Sequence, residues 1–172
     1  MRIRHLLAGA AAGLCLASTS GFAAQTLVGN MTVSATVVGA CTMATPVGLS
    51  FGTAVTSIPT AGVPEATTGK FTVVCGAAGV PVNVTLGTGL NAGGGTQRKL
   101  IAGANTLNYE LYSDAARTVP WLSTGTGVAV PATSTSGVGV AQNVYGKLLG
   151  GATTVYPASG AYTDTVVVTV TY

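Results

Sequence analysis

Tyr162-Thr-Asp-Thr-Val-Val-Val-Thr-Val-Thr-Tyr172 closes the chain, and its reading decides the fold. The even positions Tyr162, Val166, Val168, Val170 and Tyr172 carry large apolar groups. The odd positions Thr163, Thr165, Thr169 and Thr171 carry hydroxyls, with Val167 the exception. A period of two in β-branched and aromatic residues marks a half-buried strand. No turn after Tyr172 brings the chain back, so the expectation is that no further strand of this chain lies beside it. A long apolar strand at an open edge is an aggregation hazard unless something covers it. What covers it is the question the sequence raises.

The opposite end supplies a candidate. Arg2 and Arg4 precede an apolar run from Leu6 to Ala17, too short to span a bilayer. Gly21-Phe22-Ala23 presents small residues where a signal peptidase cuts. The expectation is an export signal over residues 1–23. Cys15 follows Leu14, where a lipoprotein signal has a small residue, so lipidation is not expected. The remaining Ala24–Tyr172 is a one-domain length. It begins with Gln25-Thr-Leu-Val-Gly-Asn-Met-Thr-Val-Ser-Ala-Thr-Val-Val38. Leu27, Gly29, Met31, Val33, Ala35 and Val37 are apolar or small, and Asn30, Thr32, Ser34 and Thr36 at the even positions are polar, with Val28 and Val38 the exceptions. This alternation exceeds an ordinary strand in length, and it starts where chains are usually disordered unless tied down. It reads either as one long first strand or as two consecutive strand-forming pieces, the first of which need not pair within its own molecule.

Charge and cysteine usage exclude several functions. Beyond Ala23 there is no histidine, and the cations Lys70, Arg98, Lys99, Arg117 and Lys147 nearly balance Glu65, Glu110, Asp114 and Asp164. One adjacent basic pair leaves no footprint for nucleic acid or an anionic membrane. Cys41 and Cys75 form an even count in an exported chain and read as a disulfide. Closing such a loop stabilises a fold by roughly 3–4 kcal/mol through chain entropy. A metal site would need more ligands, and a redox pair is usually Cys-x-x-Cys.

The middle of the chain reads as short strands separated by turns. Gly48-Leu-Ser-Phe-Gly52 is a short piece, and residues 53–68, rich in Thr, Ala, Pro and Gly, read as a loop. Strands are expected at Lys70–Cys75, Gly79–Leu86 and Asn143–Leu149, and a hairpin-like pair at Leu100-Ile101 and Leu107–Tyr112. Ser113–Pro120 reads as a polar turn, and Pro157–Gly160 as the turn into the last strand. Gly87-Thr-Gly-Leu-Asn-Ala92 matches a dinucleotide fingerprint, with Glu110 about twenty residues on. That motif needs a helix next, and Gly93, Gly94 and Gly95 cost about 1 kcal/mol each in a helix. The segment therefore reads as a flexible hairpin loop. No window beyond Ala23 has convincing helical periodicity. Roughly eight short strands imply an all-β, antiparallel two-sheet sandwich.

Catalytic groups are scarce. Nucleophilic catalysis wants a base beside Ser, Thr or Cys, and no histidine remains. Glu110 and Asp114 are the one close carboxylate pair, and they read as solvated surface charge. Metal-ligand spacings are absent, and no cofactor is expected. Tyr109, Tyr112 and Trp121 could form a sugar-binding platform, but core packing is the favoured reading. Asn30-Met-Thr32 and Asn83-Val-Thr85 match glycosylation sequons by chance in so Thr-rich a chain.

These residues together carry a resemblance. Gly48–Gly52, Val73-Val-Cys75, Leu107-Asn-Tyr-Glu-Leu-Tyr-Ser-Asp-Ala-Ala-Arg117, Val144-Tyr145-Gly146 and Gly160–Tyr172 resemble the spore coat protein U domain family, and within it the subunits of archaic (Csu-type) chaperone–usher pili. The Gly-rich, low-charge loop 87–95 departs from it. The resemblance implies an incomplete immunoglobulin-like sandwich, completed by donor-strand exchange, a form of β-augmentation. It divides the chain into a signal at 1–23, a donor strand extension at 24–34 and a pilin domain at 35–172. Leu27, Gly29, Met31 and Val33 become the donor residues, and Tyr162, Val166, Val168, Val170 and Tyr172 line the acceptor groove. The implied partners are other copies or related subunits, a periplasmic assembly chaperone and an outer-membrane usher. The implied setting is a cell-surface pilus serving adhesion and biofilm formation, not an enzyme. The alternative is a self-contained secreted β-sandwich that binds carbohydrate or matrix, with residues 25–38 as its own first strand.

Overall fold

The structure is a computed structural model that describes residues 28–36, 40–76, 79–125, 127–130 and 139–172. The expected signal at 1–23, Leu27, Val37 and Val38 lie outside the described residues. The chain divides into two units, Met1–Ala35 and Thr36–Tyr172. In the first, residues 28–35 form no strand, and Val28, Met31 and Val33 are 87%, 84% and 82% exposed.

The described part of the second unit is all-β, without a helix. Its strands are β1 (Cys41–Met43), β2 (Val63–Pro64), β3 (Gly69–Cys75), β4 (Val82–Leu86), β5 (Arg98–Ala102), β6 (Asn105–Tyr112), β7 (Val128–Val130), β8 (Val140–Leu148) and β9 (Val168–Thr171). One sheet runs β1-β3-β8-β6-β5, with β2 also on β8, and the other runs β7-β4-β9. Every pairing between these strands is antiparallel.

The strands form where the alternation lies. β3 buries Phe71, Val73 and Cys75, and β4 buries Val82, Val84 and Leu86, each at every second position. β5 and β6 make the expected hairpin, with Gly103 at φ +60 in its two-residue turn. A turn with positive φ suits the right-handed twist of the flanking strands. Loop 87–95 contains no helix, in keeping with its glycines. The loop expected at 53–68 holds more order: it contains β2, and Ile58 bridges Val155.

The two sheets share one core. Trp121 lies at its centre, 2% exposed, with its ring edge-on to Phe71 and its indole N–H donated to the Val84 carbonyl at 2.9 Å. Cys41 and Cys75 face each other across β1 and β3 and form the disulfide.

The charged residues correct one expectation. Arg98, half of the basic pair, is 3% exposed, and its guanidinium pairs with Glu110. It also donates to the carbonyls of Leu86, of Gly87 at 2.9 Å and of Trp121 at 3.0 Å. Glu110 is thus an ion-pair partner of a buried cation and not a free solvated charge. The cause is backbone satisfaction: the carbonyls of Leu86 and Trp121 are buried and that of Gly87 partly so, and one guanidinium donates to all three. Glu65 is likewise buried, accepting from Arg117 Nε at 2.9 Å and Nη2 at 2.7 Å and from the Gly146 amide at 2.9 Å. It fills the gap opposite Gly146, between the β2 and β3 pairings on β8.

Candidate functional site: an open groove between the sheets

The last stretch alternates as its sequence implies. Tyr162, Asp164, Val166, Val168 and Val170 are half-buried, and the odd positions from Thr163 to Thr171 are exposed. One edge of this stretch is hydrogen-bonded along its length. Thr163 exchanges bonds with Ile101 on β5, Thr165 accepts from the Leu90 amide at 3.0 Å, and Val167 accepts from the Gly87 amide at 2.9 Å. From Val168 onward β9 pairs with β4. β9 is an edge strand, with β4 as its one strand partner among the described residues. In an extended chain, alternate backbone groups point to opposite edges. The amides and carbonyls of the even residues therefore face away from β4.

They face an open groove of about 1040 Å³. Its far wall is the segment that continues β1. Ala44 donates to the Thr72 carbonyl at 3.0 Å, Val47 bridges Lys70, and Ser50 bridges Thr67. That wall presents Leu49, Phe51 and Val55 to the groove; the near wall presents Tyr162, Val166 and Val168. Phe71, Leu107, Leu111 and Val144 are among the buried core residues that line its floor. Among the described residues no strand lies between the two sheet edges that flank this largely apolar trough.

Over residues 27–169 the sequence matches the Spore Coat Protein U domain. The chain belongs to that family. It is 34% identical, over 99% of its own length and 98% of the relative's, to Protein U of Myxococcus xanthus. It is also similar to a solved structure, the CsuC–CsuE chaperone–tip adhesion subunit pre-assembly complex from the archaic chaperone–usher Csu pili of Acinetobacter baumannii, with a TM-score of 0.50 and 23% identity. The match covers 80% of this chain and 40% of that one. At that identity the likeness concerns the fold: an immunoglobulin-like antiparallel sandwich.

Within this spore coat U sandwich, the expected groove residues divide. Tyr162, Val166 and Val168 line the groove. Val170 is half-buried against the core, beyond the groove's lining. Tyr172 is 59% exposed and outside it, because β9 ends at Thr171 and the last residue has no pairing to hold it inward. Of the expected donor residues, Gly29, Met31 and Val33 are exposed, and Leu27 lies outside the described residues.

The aromatic trio packs in the interior: Tyr109 is 4%, Tyr112 9% and Trp121 2% exposed. Tyr109 borders the groove and donates its hydroxyl to Asp164 Oδ2 at 2.8 Å. Burial first, then that hydrogen bond, pushes the Tyr109 hydroxyl pKa well above its ordinary value. Burial also raises that of Tyr112. Asp114 caps the turn after β6, accepting from the Val119 amide at 2.7 Å and from the Thr118 amide and hydroxyl. The Val119 bond is the largest cause of its lowered pKa. Asp164 and the wall from Leu49 to Val55 line the groove beyond the residues expected there; the alternation in Gly48-Leu-Ser-Phe-Gly52 is the sequence signal for that wall. Among the described residues no group of three or more His, Cys, Asp or Glu side chains could hold a metal.

Proposed function

We propose that this protein is a structural subunit of a chaperone–usher pilus that polymerises by donor-strand complementation. The observation that carries the reading is the open trough beside β9, whose walls are two sheet edges and whose lining is apolar. Inserting a strand there satisfies the outward backbone groups of the even residues and covers the half-buried apolar walls. The segment 24–34 of another copy suits the site, because Leu27, Met31 and Val33 lie on one side of an alternation whose intervening Asn30 and Thr32 are polar, with Val28 the exception, and Met31 and Val33 are exposed on their own chain. The family membership and the likeness to a pilus subunit's fold support the same reading.

On this reading residues 1–23 direct export, a periplasmic chaperone covers the groove, and an outer-membrane usher exchanges the chaperone for the next subunit's extension. The fibre stands on the cell surface and serves adhesion and biofilm formation. Deleting Ala24–Val33 tests it: the chain should fold and bind chaperone, yet donate no strand to a neighbour. Normal fibres from the deletion variant would refute the proposal.

A further inference from the structure

Charge is divided unevenly between the two sheets. Lys70 on β3, Lys99 on β5, Glu110 on β6 and Lys147 on β8 belong to the larger sheet. Glu65 follows β2, and Asp114 and Arg117 lie in the turn after β6. The smaller sheet has no charged residue on β4, β7 or β9, and there is none from Thr165 to Tyr172.

The register shows what the outer face of the smaller sheet presents. β4 turns Val82, Val84 and Leu86 inward, so Asn83 and Thr85 face outward. Ala129 and Thr171 flank Asn83, and Thr169 stands opposite Thr85. One level on, Gly87 donates its amide to the Val167 carbonyl, and Val167 is exposed. Gly127 backs on to the Thr85 level: at φ +70, a Cβ there would meet the Val84 carbonyl oxygen at 2.4 Å and Thr85 Cγ2 at 2.9 Å. The face is built of short, uncharged side chains. A solvated sheet face ordinarily mixes such residues with charges, and the larger sheet does so with Lys70, Lys99 and Lys147. Depletion of charge marks the centre of protein interfaces.

Resting on the subunit reading above, we infer that this face is where fibres lie side by side, each meeting the same face of a copy in a second fibre. A second copy suits it because the two halves of such a contact are identical, so neither buries an unpaired charge of the other. The face is also continuous with the groove, since β9 belongs to both. A donor seated beside β9 turns Asn30, Thr32 and Ser34 outward, with Val28 the exception, and widens the face without adding a charge. Three strands over the length of Thr165–Thr171 span roughly 350 Å², under half of the about 800 Å² per partner in a stable pair. A lone copy therefore stays free, and repetition along the fibre supplies the remaining contact.

The test uses fibres of the exported full chain. SDS-resistant multimers from unheated samples report assembly; low-speed sedimentation and negative-stain electron microscopy report bundles. Wild-type fibres should bundle. Thr169→Lys and Thr169→Glu should each assemble as wild type does, with the bundled fraction down fivefold or more. Mixing the two kinds of fibre should restore it, because opposite charges then meet across the contact. Asn108→Lys adds the same charge to an exposed position of β6, in the larger sheet, and should leave bundling unchanged. Thr85→Lys on β4 repeats the test should a change on β9 disturb the groove. Dispersed wild-type fibres, bundling by both lysine variants at the wild-type level, a mixture that stays dispersed, or an equal loss with Asn108→Lys would overturn the inference and leave the subunit reading standing. A wild-type chain that forms no multimers would overturn the subunit reading and this inference with it.

Discussion

Arg98→Met should be among the most destabilising single changes in the sandwich. The methionine keeps much of the side chain's volume but none of its donors. It leaves the Leu86, Gly87 and Trp121 carbonyls without their guanidinium, and Glu110 without its cation. Each buried acceptor left unpaired costs about 1–3 kcal/mol. Glu110 recovers part of its loss by hydration, since its side chain is 26% exposed. Breaking a buried pair from one side usually costs about 3–5 kcal/mol, and that range is the expectation here. Trp121, the chain's one tryptophan, is buried and reports unfolding by fluorescence. With a urea dependence of about 2 kcal/mol per molar, the midpoint should fall by about 2 M. Arg98→Lys should lie between, because one ammonium cannot spread over carbonyls that the planar fork reaches together. A midpoint within about 0.5 M of wild type for Arg98→Met would refute the reasoning.

Three other outcomes follow from the structure. Replacing Cys41 and Cys75 together by Ala should lower stability by roughly 4 kcal/mol, the chain-entropy value for a sequence separation of 34, read as the same urea shift that reduction causes in wild type. Gly89→Ala should lower the melting temperature by several degrees, because φ is +85 and the new Cβ would lie 1.9 Å from Asp164 Oδ2; an unchanged melt would contradict the packing of loop 87–95 on the last stretch. Asp114 has a folded pKa below its model-peptide value of 3.8, so its contribution is present above that value and is lost as pH falls through the lower folded one. The protection of the Thr118 and Val119 amides, measured against intrinsic exchange at each pH, should therefore fall on acidification below about pH 4, and Asp114→Asn should remove that dependence.

Much of this was legible in the sequence because it rests on local alternation. The half-buried even positions from Tyr162 to Val170, the β5–β6 hairpin, the helix-free glycine loop and the Cys41–Cys75 bond all follow from period, turn chemistry or cysteine count. The rest depends on partners distant in sequence. Beside Lys99, Arg98 looks solvated; its burial follows from the positions of the Leu86, Gly87 and Trp121 carbonyls, which no local pattern announces. Glu65 sits in a stretch that reads as loop, and its role depends on Gly146, 81 residues away. By its alternation the last stretch reads as one continuous strand. It instead divides its pairing between β5, through Thr163, and β4, through Val168–Thr171, since the alternation is the same for either neighbour. Half of the groove was hidden for a similar reason. The wall from Leu49 to Val55 becomes a wall only when the Cys41–Ser50 run lies along β3.

The most direct measurement is a density map of assembled fibres, resolved well enough to trace the backbone between Leu49–Phe51 and Val166–Val168. The account predicts an extended segment there, with the sequence around Leu27–Val33, continuous with a neighbouring molecule. A trough that is empty, or filled by backbone continuous with the same molecule, would contradict it.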